Sequence, residues 1–359
     1  MFQRRCKKGF YAVLCVVGVG LRAVLFGDDG DASARREDKM SGAFSMLRFG
    51  KGFCTLLSLM LAACLTTILF SLSAISGRRL TAHLHGTKAN LLRLSLGAVL
   101  LGAWSHLFGF GLGGAAFPLL FLSGCIGFGL GDLALFQAYP RLGARRAMVM
   151  AQCVAAPMAA LIEWAWLGHA PTLAQAGWAA LILVGVSFAL LPRKADNEPT
   201  HHLTAGILFG LVSAFGQGGG AVLSRKAYAV AAAHGQEFHG FSDGLNAAYQ
   251  RMLGGILISG LFFVYLKLAH RPDDARLDNW PKAWPLLIAN ALAGPTLGVS
   301  CYQWALISSP TSVALPIIAT TPLVVIPLAY FLEGERITKR AVFCGLVAVG
   351  GVIGLMLAK

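Results

Sequence analysis

Ten runs of about 18 to 23 apolar residues, carrying few charges, decide what this chain can fold into. Each is long enough to cross roughly 30 Å of hydrocarbon. The runs fall at about 53–75, 90–107, 117–138, 146–166, 174–192, 204–223, 246–268, 284–306, 311–332 and 340–357. A soluble core would break its apolar stretches on a helical or two-residue period. Composition agrees: 56% of the 359 residues are hydrophobic and 13% charged, where a soluble domain carries about 25% charged residues. Lipid offers no partner for backbone N–H and C=O groups, and the runs are too long and too uniformly apolar for barrel strands. The expected fold class is therefore all-α, a polytopic membrane bundle of about ten transmembrane helices.

The runs divide at 192–203, Pro192-Arg-Lys-Ala-Asp-Asn-Glu-Pro199, the longest hydrophilic interruption within the bundle. The halves, 52–192 and 203–357, align in order. Ala89 to Gly97 faces Ala247 to Gly255 with Arg93 on Arg251, Ser76-Gly-Arg-Arg79 faces Leu223-Ser-Arg-Lys226, and Pro157 faces Pro322. Five spans per half is an odd number, so the second half is inserted upside down. Inverted repeats are the building plan of many secondary transporters, with the site between the halves near mid-membrane.

Residues 1–51 belong to neither repeat. A basic start (Met1 to Lys8), an apolar stretch at about 9–21 and Ala32-Ser-Ala34 read as a signal peptide, as an extra signal-anchor helix, or as a mis-assigned start with the protein beginning at Met40 or Met46. Of the Lys and Arg in the loops of the ten-span core, 16 lie in 76–93, 139–146, 192–203, 267–283 and 333–340, and four lie on the other side. The positive-inside rule thus puts the loop after the first span in the cytoplasm and the C-terminus outside. The net charge of +14 is explained by these loops, and nucleic-acid binding is set aside. The eight cysteines form no CxxC or Cys/His cluster, so no metal or disulfide framework is expected.

One stretch is more specific. Gly298-Val-Ser-Cys-Tyr302-Gln-Trp-Ala-Leu306, Ser309-Pro-Thr-Ser-Val-Ala-Leu315, Ala319-Thr-Thr-Pro322-Leu and Leu332-Glu-Gly-Glu335-Arg-Ile-Thr338 follow one another. This order resembles the second repeat of the EamA domain of the drug/metabolite transporter superfamily. The resemblance covers about 52–357. The first half departs from it, with Gly168-His169-Ala170 where Gly-Glu-Arg is usual. It implies ten spans with both termini cytoplasmic, which the charge count opposes.

Ionisable groups at membrane depth each cost at least about 2.5–3.5 kcal/mol and need a reason. Asp132 reads as a site for a cation, a proton or a substrate amine, or as an ion pair with Arg145 or Arg146 across a tight 139–144 turn. Glu163, beside Trp164 and Trp166, reads first as a solvated helix end. Arg93 and Arg251 read as snorkelling to headgroups, or as a matched pair facing a central cavity and attracting anions. Gly216-Gln217-Gly-Gly-Gly220 reads as close helix packing, or as an unwound span with Gln217 a substrate contact. Gln137, Gln152, Asn290, Tyr302, Gln303 and the Thr320/Thr321 pair add polarity within spans. Gly129-Leu-Gly131-Asp132 matches the GxGD signature of intramembrane aspartyl proteases, but that chemistry needs two carboxylates sharing a proton, and Glu163 is placed near the opposite face.

The expectation is a multi-pass carrier of the inner or plasma membrane. It moves a small metabolite or drug-like substrate by alternating access, with no cofactor and no catalytic residue, in contact with the lipid bilayer and with a homodimer admitted. The alternatives are an intramembrane enzyme built on Asp132 and a non-transporting scaffold.

Overall fold

A computed structural model describes residues 40–189, 203–238, 240–269, 279–333 and 339–358. By its internal contacts the chain divides into residues 1–53 and 54–359, and the bundle is the second unit. Most of the N-terminal segment, the 192–202 boundary and Gly334-Glu335-Arg336 lie outside the described residues.

Among the described residues the secondary structure is entirely helical. The helices are α1 (Met40–Thr81, apolar over Ser58–Thr81), α2 (Gly86–Phe108), α3 (Phe117–Leu142), α4 (Ala147–Leu167), α5 (Leu173–Ala189), α6 (Leu203–Ala233), α7 (Phe241–Leu268), α8 (Trp280–Ser308), α9 (Thr311–Ile318 with Thr321–Glu333) and α10 (Lys339–Leu357). Eight are long and apolar enough to cross a membrane, and α5 and α10 are shorter apolar helices. Val99, Leu107, Phe108, Phe331 and Phe343 stand exposed on the outside. A water-soluble protein would have to cover such a belt, whereas hydrocarbon is its natural solvent. The tight turn expected at 139–144 keeps helical backbone, within Asp132–Val149.

Equivalent helices of the two halves pack against each other antiparallel, which is what inversion requires. Along α2 and α7, Asn90 meets Ser259, Gly97 meets Met252 and Ser105 meets Asn246. Along α5 and α10, Gly185 meets Cys344, and Gly351 meets Ile182. The polar ties repeat as well. In the first half's third helix, Ser123 donates to the Gly220 carbonyl of α6 at 2.6 Å. In the second half's third helix, Asn290 donates to the Ser73 carbonyl of α1, also at 2.6 Å. Likewise Gly218 of α6 rests on Ala155 and Ala159 of α4, as Ser71 of α1 donates to the Thr321 carbonyl of α9.

Both third helices are locally widened. π-helical turns occupy Cys125–Gly131 in α3 and Leu292–Thr296 in α8, the latter containing Pro295. A further one, Met150–Val154, lies in α4. Such turns cluster at functional sites because they free carbonyls and re-aim the side chains that follow. The Gly216–Gly220 stretch, by contrast, stays regular inside α6. Its role is close approach: a Cβ on Gly216 would stand 2.5 Å from the Gly131 Cα of α3.

Candidate functional site

The polar centre is assembled from α2, α3 and α6. The π turn of α3 ends at Gly131, and Asp132 follows it directly. Its carboxylate forms an ion pair with Arg93 of α2 and accepts from Gln217 Nε2 of α6 at 2.8 Å. Arg93 is fixed from its other sides. Its Nε donates to Asn90 Oδ1 at 2.9 Å, one turn earlier on α2, and its guanidinium lies 4.6 Å from the Phe136 ring centroid. Asn90 in turn donates to Ser259 of α7 at 3.0 Å. Arg93 and Asp132 are both buried. A buried ion pair is best kept where further hydrogen bonds support it, and here Asn90 and Gln217 supply them to Arg93 and Asp132.

A cavity of about 50 Å³, partly open to the outside, sits on this centre. Ser73, Arg93, Asp132, Gln152, Gln217 and Asn290 give it a polar lining, and Phe128, Phe136 and Val299 an apolar one. Mostly apolar walls with a few convergent polar groups are the usual make-up of a small-molecule site.

Arg251, the partner of Arg93 by repeat symmetry, is placed equivalently but treated differently. A Cβ on Gly294 of α8 would lie 3.1 Å from an Arg93 nitrogen, and one on Gly127 of α3 would lie 2.8 Å from an Arg251 nitrogen. Yet where α3 offers Asp132 to Arg93, the corresponding turn of α8 offers Val299. Arg251 is 2% exposed, and its Nε has no hydrogen-bond partner. Its guanidinium lies 5.2 Å from the Phe128 ring and 5.9 Å from the Tyr302 ring.

The bundle is tied shut at the end that holds the α2–α3 loop. Gln250 of α7 donates to the carbonyls of Gly111 and Gly113 at 2.9 and 3.0 Å, and Asn246 accepts from Phe110 N–H at 3.1 Å. Nearby, Glu163 accepts from the Thr311 hydroxyl and from Ser312 N–H at 3.3 Å, with Arg225 Nε 3.7 Å from its other oxygen.

The remaining expected residues separate. Gln137 turns to Thr87 and Arg141 at 3.3 and 3.2 Å. Gln303 accepts from Tyr228 at 2.6 Å, and the Thr321 hydroxyl donates to the Ile318 carbonyl at 2.5 Å. Two readings are corrected. Glu163 is fully buried, because two neighbouring helices, α6 and α9, close over it and supply its partners, so it is no solvated helix end. Arg93 and Arg251 do not snorkel: both are buried among protein side chains, Arg93 against Asp132 and Arg251 against Phe128 and Tyr302. At Gly216–Gly220 the close-packing reading holds and the unwound alternative does not; the irregular turns lie in α3, α4 and α8. Asp132 takes its cation from α2, while the side chains of Arg145 and Arg146 lie outside the described residues. The two carboxylates of the protease reading engage separate partners, Arg93 with Gln217 and Thr311 with Arg225. Asn90, Ser259, Asn246, Gln250 and Tyr228 were not singled out from the sequence. The one available signal was their polarity inside apolar spans.

Inverted five-helix halves enclosing a small, partly polar cavity define a polytopic membrane protein of the transporter class. The chain belongs to the EamA-like transporter family, whose sequence profile matches residues 57–191 and again 204–357. Members of the family are transporters of the drug/metabolite superfamily. A solved structure titled only "Crystal structure of protein" is similar in fold, with a TM-score of 0.60 and 16% identity over 82% of this chain and 96% of that one. No curated protein sequence matches.

Proposed function

We propose that the chain is a carrier of a small metabolite working by alternating access, with halves at 52–192 and 203–357 and the substrate site in the cavity at their interface. The observation that carries this is a broken symmetry. The halves repeat each other's contacts, yet the Arg93 side opens into a cavity while the Arg251 side is packed and tied shut. In an inverted-repeat carrier the opposite state exchanges these two environments. The ties at Gln250 and Glu163 would then be the ones that break. The Asp132–Arg93–Gln217 centre lets charged chemistry reside at depth without a net charge in this state. An enzyme built on Asp132 is disfavoured because its carboxylate is committed to Arg93. The test compares metabolites in overexpressing and deleted cells, then measures uptake of any hit in proteoliposomes. Saturable uptake supports the carrier; its absence for every hit, with folded protein, removes it.

A further inference from the structure

Arg251 is a charge held at depth whose Nε has no hydrogen-bond partner among the described residues. It lies ten residues into α7, roughly 15 Å along the helix from its first residue. An unpaired buried guanidinium is strongly unfavourable, and structures normally give one a carboxylate or carbonyls. Here aromatic rings flank the guanidinium, Phe128 and Tyr302, while the N–H fork faces the glycines at 127 and 220. Neither glycine has a side chain to accept from it. Asp132, Tyr228 and Tyr302 are within electrostatic reach, but none is hydrogen-bonded to it. The wall between this fork and the cavity is Phe128 itself, whose ring lines the cavity and also packs on Arg251.

We infer that Arg251 is the receptor for an anionic group, a carboxylate or a phosphate, on the transported molecule. A planar guanidinium with an unpartnered Nε–H matches both groups in two-point fashion, which a lysine cannot do. Displacement of the Phe128 ring would join the fork to the cavity. Asp132 balances the charge of Arg93 in their ion pair, so the net positive charge of the centre rests on Arg251 alone. This rests on the carrier reading for the word "transported"; the anion site itself does not.

The experiment is calorimetric titration of the purified full-length chain with inorganic phosphate and with succinate, using glycerol as the uncharged probe. Wild type, Arg251→Lys and Arg251→Gln are compared. The expected result is binding of at least one anion and not of glycerol, weakened about tenfold by Lys and about a hundredfold by Gln. Absence of anion binding to wild type overturns the inference whether or not the variants fold. Equal binding by folded Arg251→Gln overturns it too. A hit that is uncharged and is moved at the wild-type rate by Arg251→Gln ends this inference but keeps the carrier. Anion binding lost in Arg251→Gln, with no transport of any hit, keeps the site and ends the carrier.

Discussion

Replacing Asp132 by alanine removes one carboxylate and leaves two groups unmatched. Arg93 keeps only its Nε bond to Asn90 and its contact with Phe136, and Gln217 loses its acceptor. Breaking a buried pair by deleting one member costs about 3–5 kcal/mol, because the survivor is stranded. Losing the Gln217 bond adds about 1 kcal/mol. Asp132→Ala should therefore destabilise the bundle by roughly 4–6 kcal/mol. Arg93→Ala should do so by a similar amount, since it strands the carboxylate. Once either is gone the other has little left to lose, so the double variant should fall near the worse single one, a coupling of at least about 2 kcal/mol. The assay is unfolding of the purified protein in mixed micelles, followed by tryptophan fluorescence, for all four members of the cycle. Additivity within about 0.5 kcal/mol would refute the claim that the two side chains act as one unit.

Other expectations follow from the same contacts. Glu163→Ala strands the Thr311 hydroxyl and Ser312 N–H and should cost about 2–3 kcal/mol in that assay; a change under about 0.5 kcal/mol would mean the carboxylate is solvated after all. Gly216→Ala presses a methyl onto the Gly131 backbone and should cost about 1–3 kcal/mol, whereas a neutral result would mean α3 and α6 separate freely. Asn290→Ala and Ser123→Ala remove symmetry-equivalent bonds and should destabilise by similar amounts, about 1–2 kcal/mol each. If only one matters, the repeat correspondence in the third helices is wrong.

Much of the architecture could be read from run lengths, since crossing hydrocarbon imposes them one helix at a time. The pairing of Arg93 with Arg251 marked the two helices that prove to be packed together antiparallel. The partners of the buried charges could not be read. Asp132 was sought by Arg145 and Arg146, near in sequence, but its cation arrives from α2, 39 residues away. That choice depends on a π turn, and Cys125 to Gly131 bears no residue that announces one. Glu163 misled for the same reason: its position near a helix end said interface, while α6 and α9 close over it in three dimensions. Gln152 and Gln217 were identified as pathway residues by polarity alone, and both line the cavity. Gln137 and Thr321 satisfied the same criterion and bond locally, because polarity in a span does not say which face it occupies.

A solute that crosses through this cavity by alternating access must exchange between the two sides of the bilayer. The most direct measurement is exchange in proteoliposomes preloaded with the unlabelled hit, comparing wild type with Gln152→Trp, which fills the cavity. The expected result is saturable uptake accelerated by internal substrate, and its loss in a folded Gln152→Trp protein. Uptake linear in concentration and indifferent to internal substrate, or full exchange by Gln152→Trp, would contradict it.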